Sequence, residues 1–285
     1  MFARFFLCAD DFAQCEEVSA GILDLVAKGR LSGVSVMTNS PAWSRHAALL
    51  LPFAGRISVG LHLTLTHGLP LGSTPNLASH GAPPVLPALI CRAFLRQLDL
   101  EEIRSEIHRQ CDAFERCAGM PPDHVDGHQH IHVLPGIRSV LLAVLRERYR
   151  GRAILVRDPS DRPLSILLRK PLAKPMMVAA LSAGFGSSVR RSGFLVNMGF
   201  SGFSRFAKVP YDHEFAQSLR FLGREHLIMC HPGRPSNGNQ DPLFHRRGEE
   251  LDQLMNWPGL PEQIWHPSRR ADDGQVNWAG FCHDQ

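Results

Sequence analysis

The sequence predicts an α/β fold of parallel strands, barrel-like or doubly wound. Short apolar runs rich in β-formers alternate with longer segments of helical period. No succession of hairpin turns joins the strands, so each is linked to the next by a crossover. The chain has 285 residues, 44% hydrophobic and 20% charged, enough to bury a full core. No apolar run reaches the ~18 residues of a spanning helix, and no low-complexity tract marks disorder. The start meets Asp10 and Asp11 too early for the apolar core of a signal peptide. Seven cysteines without a C-x-x-C pair read as reduced, inert thiols and point to the cytoplasm.

Taken in order, residues 4–8 form the first buried strand, which ends at Ala9-Asp10-Asp11. A helix over 16–29 follows, with Val18, Ile22, Leu25 and Val26 on one face and Gly29 as its stop. Residues 33–37 and 57–61 are strands on either side of a helix at 42–51. A long helix over 98–117 is capped by Asp99 and ends near Gly119 and Pro121-Pro122. Residues 124–130 form a strand, 137–149 the next helix, and 154–156 and 226–230 the last recognisable strands. Two stretches break the rhythm. Residues 68–87 are rich in Pro and Gly and lack a period, and 164–206 mix an apolar run with Gly, Ser and Arg. We read one domain over 1–285 with insertions near 68–97 and 158–206, on the face where barrel enzymes carry variable loops.

Net charge is +4, but 146–208 carries 13 Lys/Arg against three acids. A basic third on an acidic remainder suits an anionic partner or a solvated loop region.

The chemistry gathers at strand ends. Four of the 15 histidines fall within nine residues, in His124-Val-Asp126-Gly-His128-Gln-His130-Ile-His132. A strand period of two puts Asp126, His128, His130 and His132 on one side, a pattern that packing alone does not reward. The carboxyl ends of parallel strands converge on one rim, so Asp11, His62 and His128 can meet there. One carboxylate and two imidazoles form a ligand set for a divalent ion with open positions for water. Asp10 then serves as general base if it points at that water, and His231, in Met229-Cys-His-Pro232, as proton donor or oxyanion partner. Taken singly, an Asp-Asp pair is also a common helix cap, and a lone His such as His62 a common core or surface residue. His46, His67, His80, His108, His213, His226, His245, His266 and His283 have no partner visible in the sequence and read as structural or surface.

The ordered set A-D-D-F (9–12), G-L-H-L (60–63), H-V-D-G-H-Q-H-I-H (124–132) and M-C-H-P (229–232) resembles the YdjC-like carbohydrate deacetylases, across roughly residues 4–235. That family includes chitooligosaccharide deacetylases and hopanoid-associated deacetylases. The resemblance implies a distorted or incomplete (β/α) barrel and metal-dependent hydrolysis of an N-acetyl group on an amino sugar. By motif position Asp11, His62 and His128 are the metal ligands, Asp10 the base and His231 the candidate acid. Arg157 matches a family position that binds substrate or orients a carboxylate, and His130 and Asp126 stand as substrate or supporting residues. The cofactor is one divalent ion, Mg²⁺ or Zn²⁺, since imidazole favours zinc and carboxylate with water favours magnesium. Two departures occur. Ala13 replaces the family's usual Gly after D-D-F, so the first turn is expected to need no positive φ. Gly127 stands where Ser is common, which removes a hydroxyl from the strand's outward face.

The expected partner is an N-acetylated amino sugar, lipid-linked if the basic segment with its apolar stretch (162–191) touches a membrane surface. No nucleic acid is expected, and a homodimer is a candidate assembly. The alternatives are another metal hydrolase, such as a phosphoesterase, or a catalytically inactive sugar-binding relative.

Overall fold

The structure, a computed structural model, describes residues 4–169, 172–204, 210–235, 241 and 243–282. Lys170, Arg205 and Lys208 of the basic stretch, and His283, lie outside the described residues.

Seven strands form one parallel sheet: β1 (Phe6–Phe12), β2 (Gly33–Val36), β3 (Ser58–Leu63), β4 (His124–Gly127), β5 (Leu155–Val156), β6 (Gly199–Ser201) and β7 (His226–Cys230). Their order is β5-β4-β3-β2-β1-β7-β6. The two edges meet through the segment that leads into β6. Leu195 makes a parallel bridge to Leu155 of β5. The Asn197 side chain accepts from Asp158 N and donates to Asp158 O and Gly199 O, at 2.8, 2.8 and 3.0 Å. The sheet is thus a distorted barrel, closed on one side by a single bridge and one amide. The segment 158–206 therefore holds more than an insertion, because it supplies β6 to the barrel. Gly-Phe-Ser is too short to show a period, which is why the sequence alone passed over it.

Strand alternation sorts the side chains into two layers. Leu7 and Ala9 of β1 and Ile228 and Cys230 of β7 join the large core under the helices, while Phe6, Cys8, Leu227 and Met229 fill the barrel interior. Burial on both faces is what parallel sheets require, and every residue of β1, β3 and β7 is buried.

The helices are α1 (Glu16–Ala27), α2 (Trp43–Leu50), α3 (Leu86–Phe94), α4 (Leu100–Ala118), α5 (Ile137–Tyr149), α6 (Pro163–Leu168), α7 (Ala173–Leu181), α8 (Phe185–Arg191), α9 (Tyr211–Ser218), α10 (Phe244–Asn256) and α11 (Leu260–Gln263). The expected cap of α4 is present: Asp99 accepts from the N–H groups of Glu101 and Glu102, both at 3.1 Å, and Gly119 closes the helix in the left-handed conformation. At the amino ends of the strands, a hairpin of β8 (Ser268–Arg269) and β9 (Val276–Asn277) accompanies a plug of Trp265, Trp278 and Phe281. These rings pack on Phe6, with the two indoles stacked at 5.3 Å. That leaves the carboxyl ends of the strands as the open rim.

Two local expectations are corrected. The His-rich strand ends at Gly127, and 128–133 turns as a short 3₁₀ segment in which Gln129 and His130 have φ of 55° and 60°. The period of two therefore fails after Asp126, and the four polar residues do not share a face. Ala13 has φ of 72° in spite of its side chain, and Asp11 has φ of 69°. The turn after β1 thus keeps a left-handed conformation even without glycine.

Candidate metal centre

Asp10 and Asp11 are neighbours, and a regular strand would send them to opposite faces. Here β1 slips against β2: Ala9 faces Val34 and Phe12 faces Val36, so one residue is extra. This bulge and the left-handed φ of Asp11 re-aim the carboxylates, and both line the same cavity. The turn is held by Ala13 N–H, which donates to Ser19 Oγ at 3.0 Å, and Ser19 in turn meets His46 Nδ1 at 2.7 Å. His46, read from the sequence as structural or surface, is a buried prop for this turn.

His62 projects from β3 with Nδ1 2.6 Å from Asp126 Oδ1 and Nε2 3.3 Å from Asp11 Oδ1. The 3₁₀ turn after β4 swings His128 back over the rim, where Nδ1 lies 3.0 Å from the same Asp11 oxygen. The three expected ligands therefore converge, with one donor atom from each within 4.8 Å of the others. His62 is buried and His128 partly open at 16%. Burial disfavours a charge on His62, but Asp126, Asp11 and Asp10 outweigh it and raise its pKa to about 10. Burial also opposes the charge on Asp11, yet Arg247 and His128 hold it well below the usual carboxylate range. This donor set fits a divalent cation: one carboxylate oxygen faces two imidazoles, and Asp126 fixes the orientation of one ring from behind.

Arg157, just past β5, is fully buried and grips both oxygens of Asp10, at 2.6 and 2.7 Å. Its Nη2 also lies 2.5 Å from Asp126 Oδ2, which accepts from Ser35 Oγ at 2.6 Å. Of the two roles open to Arg157, orienting a carboxylate matches the contacts it makes, all of them inside the barrel. Behind it, His124 bonds Ser58 Oγ through Nδ1 at 2.7 Å and Ser35 Oγ through Nε2 at 3.0 Å. Burial pushes the nearby Cys8 thiol up, which keeps it a thiol.

The remaining expected residues divide. His231 lines the cavity, and burial pulls its pKa down to about 4, so the ring is neutral near pH 7. Its backbone N–H donates to buried Glu250 at 2.5 Å. His130 also borders the cavity but packs edge-on against Phe200 and Phe203 at 5.6 Å. His132 turns inward and meets the Arg157 carbonyl at 2.8 Å. Gly127 is not outward-facing: a Cβ there would stand 2.9 Å from His132 Nδ1.

Several residues in or beside the cavity escaped the sequence reading. His67 stands over His128, with ring centroids 5.8 Å apart. Gln14, Lys174 and Arg247 also line the cavity. Ser35 alone left a signal, a hydroxyl in the middle of an apolar strand. The cavity holds about 360 Å³, and its second wall is apolar, from Leu86 and Ile90 of α3 and Met177, Val178 and Leu181 of α7. Residues from both 68–97 and 158–206 therefore line the cavity.

The family model for YdjC-like proteins matches residues 4–258. The chain belongs to the YdjC-like family. It is 31% identical over 249 residues to a chitooligosaccharide deacetylase of Serratia marcescens, covering 86% of this chain and 88% of that protein. It is 37% identical over 225 residues to a chitooligosaccharide deacetylase of Yersinia pestis (strain Pestoides F), covering 79% of each. Among solved structures, an Enterococcus faecalis V583 protein provisionally described as a cellobiose-phosphate cleavage protein superposes with a TM-score of 0.68 at 20% identity, over 92% of this chain and 94% of that one. That likeness supports the barrel fold. The YdjC-like match covers the rim residues and stops short of the aromatic plug at the barrel's other end.

Proposed function

We propose that this YdjC-like protein is a metal-dependent hydrolase that removes the acetyl group from an N-acetylated amino sugar. The observation that carries the reading is the Asp11–His62–His128 cluster, open to a cavity beside a carboxylate held by Arg157. The curated relatives' shared name supports the substrate class.

A divalent ion held by Asp11, His62 and His128, when bound, supplies Lewis acidity to an acetyl carbonyl and to water. Asp10 takes the proton of the attacking water, with both carboxylate oxygens kept in place by the Arg157 fork. The neutral His231 ring hydrogen-bonds through an N–H toward the developing oxyanion or the departing nitrogen. Asp10 passes the proton it took to that nitrogen as the C–N bond breaks, and acetate and a free amino group result. Asp126 keeps His62 in register through Nδ1. The ion is Zn²⁺ or Mg²⁺ by donor chemistry. A phosphoesterase with two ions would need more free carboxylate. The neighbouring Asp10–His62–Asp126 group does not offer it, because Arg157 occupies both acids.

Acetate release from N-acetylglucosamine conjugates, against phosphate release from a model ester, tests the reading. The proposal expects acetate alone, lost in Asp11→Ala and His128→Ala together with bound metal. Phosphate release, no release, or full metal occupancy in both variants overturns it.

A lipid-linked form of the sugar is favoured by the apolar wall and by what lies outside it. Met177 of α7, which lines the cavity, is 51% exposed, and Leu164 and Leu167 of the preceding α6 are 67% and 56% exposed. No helix among the described residues is long and apolar enough to cross a membrane, so contact would be peripheral. Sedimentation with anionic liposomes tests this. Binding lost in Leu164→Ser/Leu167→Ser supports it, and no binding, or a homodimer that covers the patch, refutes it. Seven free cysteines support a reducing, cytoplasmic setting.

A further inference from the structure

Asp11 has two oxygens, and the structure gives them different work. Oδ1 faces both imidazoles, at 3.3 Å from His62 Nε2 and 3.0 Å from His128 Nδ1. Oδ2 accepts from Nη2 of Arg247, at 2.8 Å. We propose that Arg247, from α10, is a positioning residue that limits Asp11 to one metal-facing oxygen and ties it to the His231 loop.

Five observations converge on this. The same Nη2 also donates to Gln14 Oε1 at 2.7 Å, so the guanidinium spans the turn that carries Asp11. Its Nε donates to Asp241 Oδ2 at 2.5 Å, which balances the charge and fixes the plane of the fork. Its backbone carbonyl accepts from Gly233 N–H at 3.1 Å, next to His231. That strand-end loop packs closely on the side chain, since a Cβ on Gly233 would stand 3.2 Å from Arg247 Cδ. The side chain is 3% exposed, so it is built into the wall and does not sample solvent. One residue of α10 thus links the ligand at the end of β1 with the candidate donor at the end of β7. Such outer partners orient a ligand before the ion arrives, and losing one typically weakens metal binding about 10–100-fold.

The inference rests on Asp11 being a ligand, as proposed above, and charge gives it a sharp sign. A second cation on Asp11 repels the incoming ion, so a purely electrostatic role would make Arg247→Met bind metal more tightly. A positioning role makes it bind more weakly. Arg247→Lys separates the two further, because it keeps the charge and loses the planar fork.

The experiment is calorimetric titration of metal-free protein with Zn²⁺ and with Co²⁺, alongside the visible spectrum of the Co²⁺-loaded protein. Arg247→Met is expected to bind about 10–100-fold more weakly with an altered Co²⁺ band shape, and Arg247→Lys at least about tenfold more weakly. Arg234→Gln, which breaks an exposed fork to Asp24 elsewhere on the same loop, is expected to match wild type. Unchanged or tighter binding in Arg247→Met with an unchanged spectrum overturns the inference. If Arg247→Met does not fold, Arg247→Lys decides by the same readouts. Metal binding by wild type that survives Asp11→Ala would instead overturn the ligand assignment, so the two failures are told apart.

Discussion

Arg157→Met puts an apolar side chain of similar length in place of a fully buried guanidinium. It removes the bonds to Asp10 at 2.6 and 2.7 Å and the 2.5 Å pair with Asp126. Two carboxylates then stay buried with their shared cation gone. Breaking a buried pair from one side costs about 3–5 kcal/mol. Asp126 keeps its bonds from Ser35 and His62, and Asp10 borders the cavity, so the lower end applies, ~3 kcal/mol. Urea denaturation at pH 7.5 measures it, with a chelator present because a bound ion would add stability by mass action. Asp126→Asn removes one of the stranded charges. The double variant should therefore lose less than the sum of the singles, by about 0.5–3 kcal/mol. A loss below ~1 kcal/mol in Arg157→Met, or additivity in the cycle, would refute the view that one buried cation holds both acids.

Asp10→Asn keeps the shape of the base and removes its proton affinity, so kcat for acetate release should fall by about 10²–10⁴ with metal content unchanged. Ala13→Gly should stabilise the chain. A left-handed φ costs a non-glycine about 1–2 kcal/mol, against about 0.4–1 of extra unfolded-state entropy, which leaves a gain of roughly 0.5–1 in urea titrations. Acid should weaken the fold early. Burial holds His124 and His132 at about 4 and His226 well below its usual range, so these rings stay neutral when folded but take up protons below about 6.5 when unfolded. Stability is then intact above pH 6.5 and lost as pH falls toward 4, at about 1.4 kcal/mol per unit for each such ring. The paired His62, raised to about 10, works in the opposite direction and loses its contribution as pH rises above 6.5. Denaturation midpoints at pH 7.0 and 5.5 check the sign, and a midpoint that rises on acidification would contradict it.

Much of the site was legible because its residues sit at strand ends. The runs ending at Asp11, His62 and His231 are locally apolar, and parallel connectivity sends their carboxyl ends to one rim whatever the details of packing. The His-rich run was legible as chemistry but not as geometry. A strand period assigned His128 and His130 to one face, whereas the strand ends at Gly127, His128 meets Asp11, and the left-handed Gln129 and His130 send His130 toward Phe200. Nothing local marks that break, since Gln and His are ordinary strand residues by propensity. Ala13 misled for the same reason: the absence of glycine does not abolish a left-handed turn when Ser19 and His46 hold it from below.

By itself the sequence determined the class of fold and the convergence of Asp11, His62 and His128, the candidate ligands, on one rim. Each of these follows from short-range pattern and from the rule that parallel strands share a rim. Only the tertiary structure decided which oxygens and ring nitrogens face one another, that Arg157 serves two acids, and that Arg247 reaches Asp11 from 236 residues away. Those outcomes depend on backbone dihedrals at a few turns and on packing between distant segments. Burial then makes them binding, since a charge removed from water must find its partner wherever in the chain that partner lies.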